Sequence, residues 1–98
     1  MTQALSLDGC LLVWKLFPGA IGEAAEIGKS RGWSAQVEGD LQGGSVLFEA
    51  SNNGGNFYPI EAVSANGLFE VSEKYRWYRP SLIDAGENAR VTITVYTY

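Results

Sequence analysis

The stretch Val91-Thr92-Ile93-Thr94-Val95-Tyr96, near the end of a chain of 98 residues, alternates aliphatic residues with threonine and tyrosine. A two-residue alternation is typical of a β-strand that buries one face, and β-branched side chains favour strands. The stretch therefore predicts a strand whose aliphatic side chains face a core. Thr94 and Tyr96 then lie on the opposite face, where Tyr96 is available to a partner.

The same alternation occurs at residues 33–38, where Trp33 and Val37 share one face. Several glycines break the pattern at residues 39–44, and residues 45–50 begin a second apolar-rich strand. A glycine-rich break between two strands is typical of a turn. We therefore predict that these two strands pair as a hairpin.

Two further turns are predicted from residue types. Residues 51–56 read Ser-Asn-Asn-Gly-Gly-Asn, and such residues bond their own backbone or tolerate positive φ, which predicts a tight turn. The strand after it contains Pro59, which cannot donate a hydrogen bond to a ladder, so we predict an edge strand or an interrupted one. Asn66-Gly67 is a strong signal for a two-residue hairpin, here between residues 60–63 and 68–71.

The remaining segments extend the same pattern. Residues 77–82 predict another extended segment, and residues 84–88 predict a turn into the final strand. Residues 20–29 are interpreted as a loop with a short strand through Glu26 and Ile27. A helical turn is the alternative there, because the alanine and glutamate content favours helix while the two glycines oppose it.

Strands thus recur about every 10 residues, the spacing expected of an all-β sandwich or barrel. We predict an all-β fold, a small antiparallel β-sandwich of about 7–8 strands that is either jelly-roll-like or immunoglobulin-like. The length predicts a single domain over residues 1–98. Residues 1–18, which are apolar around Trp14, form either an extra strand or an interaction arm.

The charge balance and the short apolar runs limit the partners. The chain has 11 acids, 7 bases and a net charge of −4, whereas phosphate backbones are bound by clustered Lys and Arg, so nucleic acid is not an expected partner. The longest apolar run, residues 10–14, is far shorter than the roughly 20 residues that cross a bilayer, so no membrane partner is expected. The first residues lack a secretion signal, which predicts synthesis in the cytoplasm.

The residues that enzymes and metal sites need are scarce. The chain has no His and a single Cys, Cys10, so neither a base-activated thiol nor a zinc site is expected. We interpret Glu49, Glu61 and Glu70 as solvent-facing acids of strands rather than as a catalytic pair. The triplet Gly28-Lys29-Ser30 lacks the preceding glycine of a phosphate-binding loop. We therefore predict no enzymatic activity, no cofactor and no metal site.

Aromatic residues make up 12% of the chain, and more than one role is open to them. Such side chains fill the core of a small sandwich or pack between subunits, whereas an exposed row of them would stack on sugar rings. Six positions are candidates for contact with a partner protein, with a place in the core as the alternative for each: Trp14, Phe17, Trp77, Tyr78, Tyr96 and Tyr98.

Three segments in order resemble the small virion proteins of tailed bacteriophages: residues 32–39 (GWSAQVEG), 44–54 (GSVLFEASNNG) and 57–60 (FYPI). That family often shows a strand, a glycine-rich turn and a strand ending in Ser-Asn-Asp-Gly before an aromatic residue. Here Asn53 replaces the usual Asp, and Phe57 stands where Trp is common. The resemblance continues through residues 78–82 and 91–95, and it covers residues 26–98.

The resemblance implies a β-sandwich of the decoration type, which binds a capsid or tail lattice and has no catalytic residues to transfer. Our primary hypothesis is a non-enzymatic virion structural protein, made in the host cytoplasm and located in the virion. It would be a capsid decoration or stabilising subunit that contacts the major capsid or another virion protein. Because a small domain buries little surface of its own, we expect a symmetric homo-oligomer, with a trimer favoured. The alternative hypothesis is a carbohydrate-binding β-sandwich module that uses exposed aromatic side chains.

Overall fold

The computed structural model describes residues 5–6, 11–26, 32–71 and 75–97, and nine β-strands lie in these residues. None of the described segments is a helix, and so none is a helix able to span a membrane. The strands are β1 (Leu5–Ser6), β2 (Leu11–Leu16), β3 (Ala25–Glu26), β4 (Trp33–Asp40), β5 (Ser45–Ser51), β6 (Tyr58–Val63), β7 (Gly67–Val71), β8 (Trp77–Ile83) and β9 (Arg90–Thr97).

The strands form two sheets, and their pairings are antiparallel. The order is β1-β2-β9-β4-β7 in a five-stranded sheet and β3-β8-β5-β6 in a four-stranded sheet. The two sheets pack around a shared cluster of buried apolar side chains. The predicted small antiparallel β-sandwich is therefore confirmed. β1 and β3 are each two residues long, and they account for the larger strand number.

The predicted inward faces of the two alternating strands are confirmed. In β9 the three aliphatic side chains are buried, while Thr94 is half-buried on the outer face. Trp33 and Val37 of β4 are buried in the same cluster. In the ladder, Ile93 lies between Trp14 of β2 and Val37, so it occupies the middle of the sheet's core face.

The predicted hairpin between β4 and β5 is wrong. β4 pairs with β7 and β9, whereas β5 pairs with β6 and β8, so the two strands lie in different sheets. The intervening turn has Gln42 and Gly43 at positive φ and is closed by a hydrogen bond from Gln42 N to Asp40 Oδ1 of 3.1 Å. The same turn residues serve a hairpin and a connection between sheets, so the local sequence does not distinguish the two.

The predicted Asn66-Gly67 hairpin is also wrong. β6 belongs to the four-stranded sheet and β7 to the five-stranded sheet, so this connection too crosses the sandwich. Among the described residues other than glycine, positive φ occurs at Gln42 and Asp84 and not at Asn66, which a primed turn would require. The interpretation of Pro59 is confirmed, because β6 is an edge strand and its register with β5 shifts beside Glu49.

Three local predictions agree with the structure. Residues 77–82 lie in β8, and residues 84–88 connect β8 to β9 through a turn. Residues 20–26 form a loop that leads into the short strand β3, without a helical turn. Ile27 lies outside the described residues.

Residues 11–16 form an interior strand of the five-stranded sheet rather than an arm. β2 lies between β1 and β9, and it buries Trp14 and Leu16 in the core. The indole Nε1 of Trp14 donates a hydrogen bond of 2.8 Å to the backbone oxygen of Glu23. This bond ties the strand to the loop that precedes β3, and so links the two sheets.

Candidate functional site

Two of the six predicted contact residues are core residues. Trp14 is 2% exposed and Tyr78 is 3% exposed, so neither can contact a partner of the folded domain. The Tyr78 ring packs edge-on against Trp33 at 4.9 Å between centroids, and its hydroxyl accepts a hydrogen bond of 2.7 Å from the backbone of Tyr75. The local sequence does not show whether an aromatic side chain faces the core or the solvent, and both of these rings are buried in the core.

The other candidates lie on different parts of the surface. Tyr96 is 52% exposed on the outer face of the five-stranded sheet, and Phe17 is 39% exposed just beyond the opposite end of β2. Trp77 is half-buried on the other sheet, where its indole covers Gly54. Tyr98 lies outside the described residues. The exposed candidates therefore do not form one continuous surface.

The outer face of the five-stranded sheet has an uncharged centre. One row across four strands contains Val13, Thr94, Gln36 and Leu68. Leu68 is 76% exposed, the highest fraction among the exposed large hydrophobic side chains of the described residues. We call this central region the outer patch, and its members are Val13, Ser34, Gln36, Leu68, Thr94 and Tyr96. The charged side chains at its margins are Lys15, Glu38 and Glu70.

The outer patch ends at β7, an edge strand that pairs only with β4 among the described strands. In the described part of the chain, β1 and β3 are edges of two residues each, and edge strand β6 is interrupted by Pro59 and a register shift. Short strands, proline and bulges are the usual protections of sheet edges. β7 has none of them, because Gly67–Val71 pairs with β4 in unbroken register over five residues. We call it the β7 edge.

Neither Leu68 nor the β7 edge is among the features predicted from the sequence. The Asn66-Gly67 pair predicts a hairpin, which would cover this strand with β6. The available signal was the apolar pair Leu68-Phe69, since a strand with one solvent face does not normally place two large apolar residues in succession.

Two ion pairs join charged side chains on or beside the four-stranded sheet. Arg79 donates from Nε to Glu49 Oε1 at 3.0 Å, and both side chains are largely buried. Arg76 and Glu26 form a second pair that is exposed. Glu61 and Glu70 are exposed, as expected, but Glu49 is half-buried, so its interpretation as a solvent-facing acid is wrong.

The described residues hold no cluster of three or more His, Cys, Asp or Glu side chains that could bind a metal ion. Cys10 and the Gly28-Lys29-Ser30 triplet lie outside the described residues. Residues 51–56 form a turn, in which Asn53 Oδ1 accepts hydrogen bonds from the backbone of Gly55 and Asn56 at 2.9 and 3.0 Å.

No protein-family model and no curated protein sequence matches the chain. Several solved structures are similar. YomS, a protein derived from the SPBc2 prophage, has a TM-score of 0.69 at 8% identity, over 90% of this chain and 93% of that one. CENP-C of Drosophila melanogaster, in a structure bound to CAL1, has a TM-score of 0.53 at 9% identity, over 99% and 81%. IMPa of Pseudomonas aeruginosa has a TM-score of 0.53 at 18% identity, over 89% of this chain and 12% of that one. At these identities the likenesses show a common fold, and that fold is shared with a prophage-derived protein over nearly the full length of both chains.

Proposed function

We propose that the chain is a non-enzymatic structural protein of a phage virion, a capsid decoration or stabilising subunit that binds the particle lattice and sister copies of itself. The observation that carries the proposal is the likeness to a prophage-derived protein across 90% of this chain and 93% of the other. The sequence segments that resemble small virion proteins, and that occur in the same order, support the same assignment independently of the fold.

The contact surface of this proposal is the outer patch together with the β7 edge. A partner strand laid along the outward side of β7 would extend the five-stranded sheet, and main-chain pairing of this kind gives affinity without requiring a deep groove. The neighbouring outer patch would then bury Leu68, which is 76% exposed in the single chain. Removing a leucine side chain from water contributes about 1.5–3 kcal/mol.

The carbohydrate hypothesis requires a row of exposed aromatic side chains on one sheet face, and the described part of the chain has no such row. Tyr96 is the aromatic residue of the outer patch, and a single ring does not make a row. On the other sheet the Trp77 indole is occupied by its contact with Gly54. Recognition by a flat array of exposed rings is therefore not the function that this geometry favours.

The test is association with particles. Phage particles lacking this protein are mixed with the purified chain and sedimented, and we expect the protein to pellet with them at a saturating, fixed stoichiometry. Leu68→Glu should abolish this co-sedimentation, because it places a charge in the proposed interface. The control is Ile21→Glu, which alters an exposed aliphatic side chain on the other sheet. Failure of the wild-type chain to pellet, together with its absence from native particles by mass spectrometry, would reject the proposal.

A further inference from the structure

A pocket of about 390 Å³ lies where the 51–56 turn meets the start of β6 and Tyr75, two residues before β8. Its volume is at the small end of the range of ligand pockets, which begins near 300 Å³. Eight residues line it: Ala50, Ser51, Asn52, Asn53, Asn56, Tyr58, Ile60 and Tyr75. The lining residues belong to the four-stranded sheet and the segments next to it, and none is a member of the outer patch or of β7.

The lining combines two aromatic rings with three side-chain amides, and none of its residues is charged. Aromatic faces pack against the apolar C–H faces of sugar rings, while amides bond the hydroxyl groups around them. A neutral lining offers no counter-charge to a phosphate or a carboxylate. The chemistry therefore fits a neutral polyhydroxyl ligand.

Two of the three amides, those of Asn52 and Asn53, are fixed in orientation by backbone donors. Asn53 Oδ1 accepts from Gly55 N and Asn56 N, and Asn52 Oδ1 accepts from Arg76 N at 3.1 Å. With their oxygens used in this way, Asn52 and Asn53 keep their NH2 groups as donors. The Asn52 bond also crosses from the turn to the β8 side, so it closes one wall of the pocket.

The aromatic side is held by the core. The backbone of Tyr75 donates to the buried Tyr78 hydroxyl at 2.7 Å, and the two rings pack edge-on at 6.4 Å. Tyr58 is 68% exposed at the mouth. Turn formation explains the roles of Asn53 and Ser51, but it does not require Tyr58, Tyr75 or the side chain of Asn56. A pocket whose walls are already fixed loses little freedom when a ligand binds.

We infer that this pocket binds a neutral carbohydrate of one or two sugar rings. A ring stacks on Tyr58, its hydroxyls accept from Asn52 and Asn53, and the free amide of Asn56 both donates and accepts. The inference does not depend on the particle contact, which uses the other sheet.

The test is a titration of the intact chain with neutral mono- and disaccharides, followed by ligand-observed NMR and calorimetry. A second arm uses purified bacterial surface polysaccharide, which distinguishes a free sugar from a polymer-bound one. We expect saturable binding in the millimolar range or tighter. Tyr58→Ala and Asn56→Ala should each weaken it at least about tenfold, and Tyr58→Phe should retain it.

Matched controls lie outside the pocket. Tyr96→Ala removes an exposed tyrosine of the other sheet, and Asn66→Ala removes an exposed asparagine of the loop between β6 and β7; both should bind as the wild type does. All four alanine positions are exposed, so the variants should fold. Absence of saturable binding in both arms, or binding that survives Tyr58→Ala, would overturn the inference. Loss of particle binding with retained sugar binding would count against the proposed function alone.

Discussion

The guanidinium carbon of Arg79 lies 4.1 Å from the centroid of the Phe57 ring. The same side chain bonds Glu49, its partner in the β5–β8 ladder, at 3.0 Å. The three side chains therefore form a continuous stack across the outer face of the four-stranded sheet. A charge-assisted hydrogen bond and a cation–π contact act on one partly desolvated cation, so the group should be ordered rather than a mobile surface ion pair.

Arg79→Ala should destabilise the domain more than Arg76→Ala. The first leaves Glu49 half-buried without its partner and uncovers Phe57, at an expected cost of about 1–2 kcal/mol. The second breaks an exposed pair with Glu26, which should cost less than about 1 kcal/mol. Urea denaturation of the two variants provides the comparison. Equal losses would show that the Arg79 stack contributes no more than a solvated ion pair.

Ile93→Ala should be among the costly substitutions of β9. The side chain is fully buried between Trp14 and Val37, so its truncation leaves a cavity, with an expected loss of about 2–5 kcal/mol in the free energy of unfolding. Thr94→Ala, one residue further on the outer face, should cost less than about 1 kcal/mol. Thermal melts will rank the two variants. The reverse ranking would mean that β9 is shifted by one residue, and that Tyr96 faces the core.

The inward faces of the strands could be predicted because alternation is a local property. Val91 to Val95 alternate within β9 itself, and no knowledge of neighbouring strands is needed. Strand pairing is not local. The turns at Gly43 and Asn66 have the composition of hairpins, yet both carry the chain to the opposite sheet. Which strands pair is decided by how the buried faces of all the strands fit together in the core, and that depends on the whole chain.

The candidate sites needed the fold before they could be recognised. The pocket brings Tyr75 against the 51–56 turn, and this proximity follows from the pairing of Ser51 with Trp77 in the β5–β8 ladder. Ser51 and Trp77 are 26 positions apart in the chain (77 − 51), and nothing in either segment specifies the other. Likewise Tyr78 was indistinguishable from a surface aromatic until its contact with Trp33 was known.

Gly39→Ala should be strongly destabilising. Gly39 has φ +137° within β4, and a Cβ there would clash with the backbone oxygen of Arg90 in the neighbouring strand. Backbone strain and overpacking together should cost about 3 kcal/mol or more. Gly43→Ala is the control, since Gly43 also has positive φ, +80°, but its Cβ would point into open space. That change should cost about 1–2 kcal/mol. Similar melting temperatures for the two variants would contradict the close approach of β4 and β9 at this point.

The outer patch and the β7 edge predict a symmetric oligomer in solution, with a trimer favoured. Light scattering coupled to size exclusion measures the mass directly, and Leu68→Glu should reduce it to that of one chain, because the exposed leucine lies beside the unprotected edge. Ile21→Glu, on the other sheet, should leave the mass unchanged.

An even-numbered assembly that Leu68→Glu dissociates would indicate that β7 pairs with its own copy across a twofold axis, since such a contact is self-complementary. A wild-type mass of one chain at about tens of micromolar would contradict self-association, because an oligomer with a Kd of about 1 μM would be largely assembled at that concentration. The surface would then be left to bind the particle lattice alone.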